Sequence, residues 1–361
     1  MRASLIAALM FLPSALAAVA PPAQTELFES GTGGYHTYRI PALIATPKGT
    51  LLAFCEGRKN SRSDSGDIDL LVRRSTDGGR TWSAQTVVAD FGEDTIGNPA
   101  PVVDRRTGTV WLLLTSNKGH EHLKEIVAGT AGGTRTVWVS RSSDDGIHWS
   151  APVEITRDVK RPGWTWYATG PGNGIQLKSG RLVIACDHYA AGSEARHSHV
   201  IYSDDGGASW KIGGVAGINT NESAVAEISG GRLLLNMRSL HGKNRRAIAE
   251  SRDGGLSWSD VKLDEALIEP VCQASLIQGG GKRLLFSNPA STKRERMTVK
   301  LSRDEGRTWN QGVVVHAGPA AYSSLAMIGK RTAGLLYERG EKTAYERITF
   351  ATIRLALLEG K

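Results

Sequence analysis

The chain has 361 residues, 40% hydrophobic and 22% charged, with 44 basic against 36 acidic residues and a formal charge of +8. This composition holds enough apolar material for a core and excludes a disordered chain, and 42 glycines beside only 13 prolines exclude a collagen-like repeat and indicate many tight turns between short strands. The basic residues are dispersed rather than gathered in a run, so the charge favours acidic partners without forming a nucleic-acid-binding arm.

The first predicted element is an export signal over residues 1–20. Arg2 supplies its positive end, Leu5 to Leu12 its apolar stretch, and small residues allow a cut after Ala17 or Ala20, the second disfavoured by Pro21. The stretch is short of the ~20 apolar residues a membrane span needs, and no later segment reaches that length. The remainder, residues 21–361, is expected to be exported, either periplasmic or secreted, and not stably inserted in a membrane. Next comes Tyr38-Arg39-Ile40-Pro41, then an apolar run ending at Cys55, a polar loop from Glu56 to Asp67, and a strand around Ile68–Val72. The loop's Asp64, Asp67 and Asp69 have the D-x-x-D-x-D spacing of a calcium loop but lack the terminal Glu of an EF-hand. Farther on, Gly170-Pro171-Gly172-Asn173-Gly174 lacks the Lys and Ser/Thr of a phosphate loop and reads as a turn, and Gly279-Gly280-Gly281 reads as a hairpin tip. His120 with His122, and His197 with His199, have strand-edge spacing for a metal but no third ligand. Cys55, Cys186 and Cys272 are odd in number and without C-x-x-C; the first two sit in apolar runs, so buried structural thiols are expected rather than a zinc or redox site.

An eight-residue pattern, S-x-D-x-G-x-x-W, recurs at 75–82, 142–149, 203–210, 251–258 and 302–309. Locally it describes a hairpin: a strand such as Met297–Leu301 precedes it, the Asp bonds backbone N–H groups ahead of it, the Gly supplies a positive φ, and the Trp is expected to begin the next strand and cover the turn. A mean spacing of about 57 residues divides the chain into about six units, each long enough for four strands. The predicted fold is therefore all-β: a six-bladed β-propeller of four-stranded antiparallel sheets, running from about Thr25 to Leu358, with one blade lacking the pattern.

These repeats are similar to the Asp boxes of sialidases, and Tyr38-Arg39-Ile40-Pro41 is similar to the Arg-Ile-Pro motif that opens their catalytic domain. Over nearly all of the mature chain the sequence resembles an exo-α-sialidase of bacterial or lysosomal type. Asp boxes also occur in non-catalytic propellers, so they speak for the fold; other residues must speak for activity. The resemblance implies that Arg39, Arg238 and Arg294 converge on the carboxylate of a terminal sialic acid, a task that suits the planar, permanently charged guanidinium. Arg296 lies two residues from Arg294 and is its rival.

The resemblance also implies Tyr322 as nucleophile, Glu222 as the base that takes its proton, and Asp64 as acid/base, with Asp67 and Asp69 as close rivals of Asp64. A tyrosine nucleophile is a known exception among glycosidases, and it has a rationale: the anomeric carbon already carries a carboxylate, which would repel an anionic attacker but not a neutral phenol. Glu338 is expected to orient Arg39, Arg58 to shape the pocket beside Asp64, and Asn98 and Tyr167 to contact sugar hydroxyls or the acyl group. The implied reaction is retaining hydrolysis of sialylated glycans without a metal or other cofactor. A non-catalytic glycan-binding propeller, a trans-sialidase and a glycosidase for another nonulosonic acid are the alternatives.

Overall fold

The computed structural model describes residues 22–360, so the expected export signal and its cut after Ala17 or Ala20 lie outside the described residues. Six four-stranded antiparallel blades follow in chain order, each running from the central axis outward. Blade I comprises Thr37–Ala45, Leu51–Arg58, Ile68–Ser75 and Thr86–Ala89. Blade II comprises Thr95–Val103, Val110–Asn117, Thr136–Ser142 and Val153–Glu154. Blade III comprises Trp164–Thr169 with the short Ile175–Gln176, then Leu182–Ala190, Arg196–Ser203 and Lys211–Ile218. Blade IV comprises Thr220–Glu227, Leu233–Ser239, Arg245–Ser251 and Lys262–Ile268. Blade V comprises Ser275–Gln278, Leu284–Pro289, Glu295–Ser302 and the first part of the long strand Val313–Met327. The rest of that strand opens blade VI, followed by Thr332–Arg339 and Arg347–Arg354. Its outer strand is Gln24–Glu29, from the other end of the chain, so the ring closes by pairing the first strand with the last.

The blades hold together through apolar layers between neighbours. In the strand Leu51–Arg58, alternation sends Leu52 and Phe54 toward blade II, where they meet Ile96, Leu112 and Leu114. Leu51, Ala53 and Cys55 face blade VI, where they meet Leu336, Ile348 and Phe350. Both faces are buried, which is why the strand reads as a continuous apolar run rather than as alternating polar and apolar residues. Equivalent layers join II to III, III to IV, IV to V and V to VI. All three cysteines are buried free thiols.

Each of the five boxes forms the turn after the third strand of blades I–V. In the first, Asp77 Oδ1 accepts from the backbone N–H groups of Arg80 and Thr81 (both 3.0 Å), and Gly79 N–H donates to Ser75 Oγ (2.9 Å). Blade VI carries no box because its fourth strand comes from the opposite end of the chain, leaving no third-to-fourth turn to encode. The tryptophans do not begin the next strand, as was expected; they lie between the turn and that strand and pack on the preceding blade. Trp82 of blade I sits 5.1 Å from Phe350 of blade VI, and Trp149 of blade II 5.5 Å from Phe54 of blade I. The box is therefore a fastener between blades as well as a turn. No helix among the described residues is long and apolar enough to cross a membrane.

Candidate active site

The side chains of the site are aimed by one device repeated around the ring. In five blades the innermost strand pairs with the second strand through a register shift: between Arg39 and Ala42, Gly97 and Ala100, Trp164 and Tyr167, Thr220 and Ser223, and Ala320 and Ser323. Bulged residues leave the ladder and can be redirected. Here they include Ile40, Asn98, Trp166, Asn221, Glu222 and Tyr322, all of which line one pocket at the axis. The boxes lie at the opposite ends of the strands.

Ile40 carries a φ of +61°, a left-handed conformation unfavourable for a β-branched residue. It is held by Glu338, which is fully buried. Glu338 Oε1 accepts from Ile40 N–H (2.9 Å) and from Arg39 Nε (2.7 Å), and its Oε2 accepts from Tyr322 N–H (3.0 Å). One carboxylate thus fixes the arginine, the strained backbone and the tyrosine together.

The Tyr322 hydroxyl donates a short hydrogen bond to Glu222 Oε1. Arg238 Nη1 donates to Glu222 Oε2 (2.7 Å) and lies 3.3 Å from the Tyr322 oxygen. The guanidinium of Arg39 stands over the Tyr322 ring at 5.0 Å, and that of Arg294 at 5.7 Å. Arg294 Nη1 also donates to Tyr345 Oη (2.7 Å), whose ring stacks on Arg39 at 4.4 Å. Arg296 is exposed and takes no part. Burial first, and the charge of Glu222 second, push the Tyr322 phenol well above its ordinary range, against the opposing pull of Arg238 and Arg39. At rest the phenol is neutral.

Asp64 reaches the same pocket from the loop after the second strand of blade I. Its carboxylate lies 2.8 Å from Arg58 Nη1 and 3.9 Å from Arg39 Nη1, with a side chain 73% exposed. Partial desolvation pushes its pKa up, but Arg58 and Arg39 prevail and hold it below the ordinary value. Arg58 is itself buried and anchored by two bonds to Glu56 Oε2. Glu56 Oε1 accepts the Asn98 N–H at 2.9 Å, and Asn98 Oδ1 accepts from Arg135 Nη1 at 3.0 Å. The rivals of Asp64 are spent elsewhere: Lys59 pairs with Asp67 (2.8 Å), and the buried Asp69 accepts from Tyr35 Oη (2.6 Å). No group of residues suited to a metal ion occurs among the described residues.

Tyr167, expected at a sugar hydroxyl or the acyl group, lies elsewhere. It is buried in the layer between blades II and III, with its ring 4.9 Å from that of His199, and does not line the pocket. The bulge between Trp164 and Tyr167 puts Trp166 and Ala168 on the pocket side instead. Sequence reasoning also missed Arg135, Asp187, Tyr189 and Arg196, which complete the wall. A trace of Asp187 was visible in Cys186-Asp187-His188, an acidic residue inside an apolar strand. Burial, and then the charge of Glu222, push the Asp187 carboxyl up to about 8.

Residues 49–336 match a family model described as a BNR repeat-like domain. The chain is 36% identical over 351 residues to a sialidase of Bacteroides fragilis, an alignment covering 90% of this chain and 63% of that protein. It is 32% identical over 335 residues to an exo-alpha-sialidase of Aspergillus fumigatus, covering 84% of this chain and 79% of that one. A solved Hadza microbial sialidase superposes with a TM-score of 0.84 at 36% identity, covering 91% of this chain and 68% of its partner. The chain thus spans less than two thirds of the length of its Bacteroides relative.

Proposed function

The chain belongs to the sialidase family, and on that premise we propose that it is an exo-α-sialidase, releasing terminal α-linked sialic acid from glycans with retention of configuration. The observation that carries this reading is the Tyr322 hydroxyl bracketed by Glu222 and Arg238, beneath guanidinium groups from blades I, IV and V. No single blade contains that set.

In the proposed mechanism Arg39, Arg238 and Arg294 hold the substrate carboxylate, and Glu338 keeps Arg39 in place. Tyr322 Oη attacks the anomeric carbon while its proton passes to Glu222. The bond from that carbon to the aglycone oxygen breaks as Asp64 delivers a proton to the leaving oxygen. Water, deprotonated by Asp64, then attacks the anomeric carbon and breaks its bond to the Tyr322 oxygen, and Glu222 returns the proton to the phenol. In the free enzyme Asp64 is held ionised by Arg58 and Arg39. A bound substrate carboxylate would offset Arg39 and make protonation of Asp64 easier, so the acid is armed when substrate arrives. The neutral, buried phenol avoids opposing the substrate's charge.

The proposed site of action is outside the cytoplasm, on the strength of the apolar N-terminal stretch following Arg2. The test is sialic acid release from a fluorogenic sialoside. Tyr322→Phe is expected to lower kcat/KM by about 10³-fold or more with a melting curve unchanged. Unchanged turnover by that variant would reject the nucleophile assignment, and no release by the wild type would reject the function.

A further inference from the structure

The wall of the pocket opposite blade VI carries polar groups that the proposed chemistry does not use. Asp187, on the second strand of blade III, lines the pocket, is 2% exposed, and leaves Oδ2 without a hydrogen-bond partner. Asn221, on the inner strand of blade IV, also lines the pocket, and its Oδ1 is buried and unpartnered. Arg135, from blade II, is buried there as well. It donates only to neutral oxygens: Asn117 Oδ1 (2.9 Å), Asn98 Oδ1 (3.0 Å) and the Tyr167 carbonyl (3.4 Å). No carboxylate is within ion-pair distance of it among the described residues. Arg196 has none either and rests on the Tyr189 ring at 4.8 Å.

Buried polar atoms without partners are unfavourable, and in a pocket the group that satisfies them is the ligand. The inventory decides its chemistry. The Asn221 oxygen only accepts, the two arginines only donate, and the Asp187 carboxyl, protonated near neutrality, does both. A group that only accepts would leave the Asn221 oxygen without a donor, and an apolar group would leave every one of these atoms bare. A hydroxyl, which donates and accepts at once, satisfies both kinds.

We propose that Asp187, with Asn221 and Arg135, is a specificity-determining residue that reads a hydroxyl on a substituent of the bound sugar acid, across the pocket from Tyr322. The proposal rests on the sialidase reading and extends it to the part of the sugar remote from the cleaved bond.

The test is steady-state kinetics of the wild type, Asp187→Leu and Asp187→Asn on aryl sialosides, intact and with single hydroxyls of the polyol chain or ring replaced by hydrogen. Asp187→Leu is expected to raise KM about tenfold on the intact sugar with a smaller change in kcat, while Asp187→Asn, which keeps a donor and an acceptor, stays within about threefold. One deoxygenated sugar should abolish the difference between wild type and Asp187→Leu. A ratio that is the same on every sugar overturns the proposal alone; a wild type that turns over none of them overturns the sialidase reading with it. Calorimetric titration of the wild type with free sialic acid and its deoxygenated analogues makes the same comparison without a variant. Loss of the read hydroxyl should weaken binding about tenfold, and equal affinities for all analogues overturn the proposal.

Discussion

The Tyr322 hydroxyl sits between a carboxylate and a guanidinium that pull its proton in opposite directions. Burial and the charge of Glu222 keep it on the oxygen, so in the proposed mechanism attack is coupled to proton transfer to Glu222. The acid role proposed for Asp64 makes its contribution depend on the leaving group. Asp64→Ala is expected to slow cleavage of a natural sialoside, whose leaving alcohol needs a proton, by about 10²-fold or more. It should slow an aryl sialoside with an acidic phenol far less. Equal losses on both, in parallel assays, would remove Asp64 from the acid role. His188 and His199 lie with their Nδ1 atoms 3.1 Å apart, His188 stacked on Trp164 at 3.5 Å. Burial pulls His188 down to about 3 from 6.5, and His199 well below 6.5. Both are therefore neutral when folded, whereas the unfolded chain takes up protons below pH 6.5, so stability is lost as pH falls from 6.5 toward 3. Each imidazole costs about 1.4 kcal/mol per pH unit in that window. Urea midpoints measured from pH 7 to 4.5 should fall, and substituting both histidines by leucine should flatten the slope. An unchanged slope would contradict the account.

The strands and boxes show what a sequence can and cannot say about such a molecule. The boxes were legible because their chemistry is local: Ser75, Asp77 and Gly79 bond within one turn. The reason for only five was not, since blade VI borrows Gln24–Glu29 from across the chain. Tyr167 was misassigned because a bulge resets the alternation of its strand, and nothing in Trp164–Thr169 announces a bulge. Arg39, Glu222, Arg238 and Tyr322 came from family resemblance and lie together in the structure. Arg135 and Asp187 carry no motif; their place in the pocket depends on neighbours from other blades. Gly79, in the first box, has a φ of +91°. A Cβ there would stand 2.6 Å from Phe350 Cζ of blade VI, the preceding blade. Gly79→Val should destabilise by about 2–4 kcal/mol through strain and a separated layer. Arg80→Val, on the exposed side of the same turn, should change stability by less than about 0.5 kcal/mol. Similar melting temperatures for the two variants would refute the fastening role of the box.

Across the whole molecule, closure of the ring is what makes a site. Arg39, Arg238, Arg294 and Tyr322 come from blades I, IV, V and VI, and the strand pairing of Gln24–Glu29 with Arg347–Arg354 brings the first of them against the last. The bulges on five inner strands then turn their residues toward a common axis. The scaffold can be read from repeats alone, but the proposed reaction depends on residues far apart in sequence meeting around one phenol. The direct measurement is to trap that phenol in the act. A sialic acid derivative with fluorine beside the anomeric carbon and a good leaving group slows breakdown of a covalent intermediate, and peptide mapping by mass spectrometry locates the adduct. A single sugar adduct is expected on the peptide containing Tyr322, absent from Tyr322→Phe. An adduct on Glu222, or no adduct while the wild type continues to turn over sialosides, would contradict it.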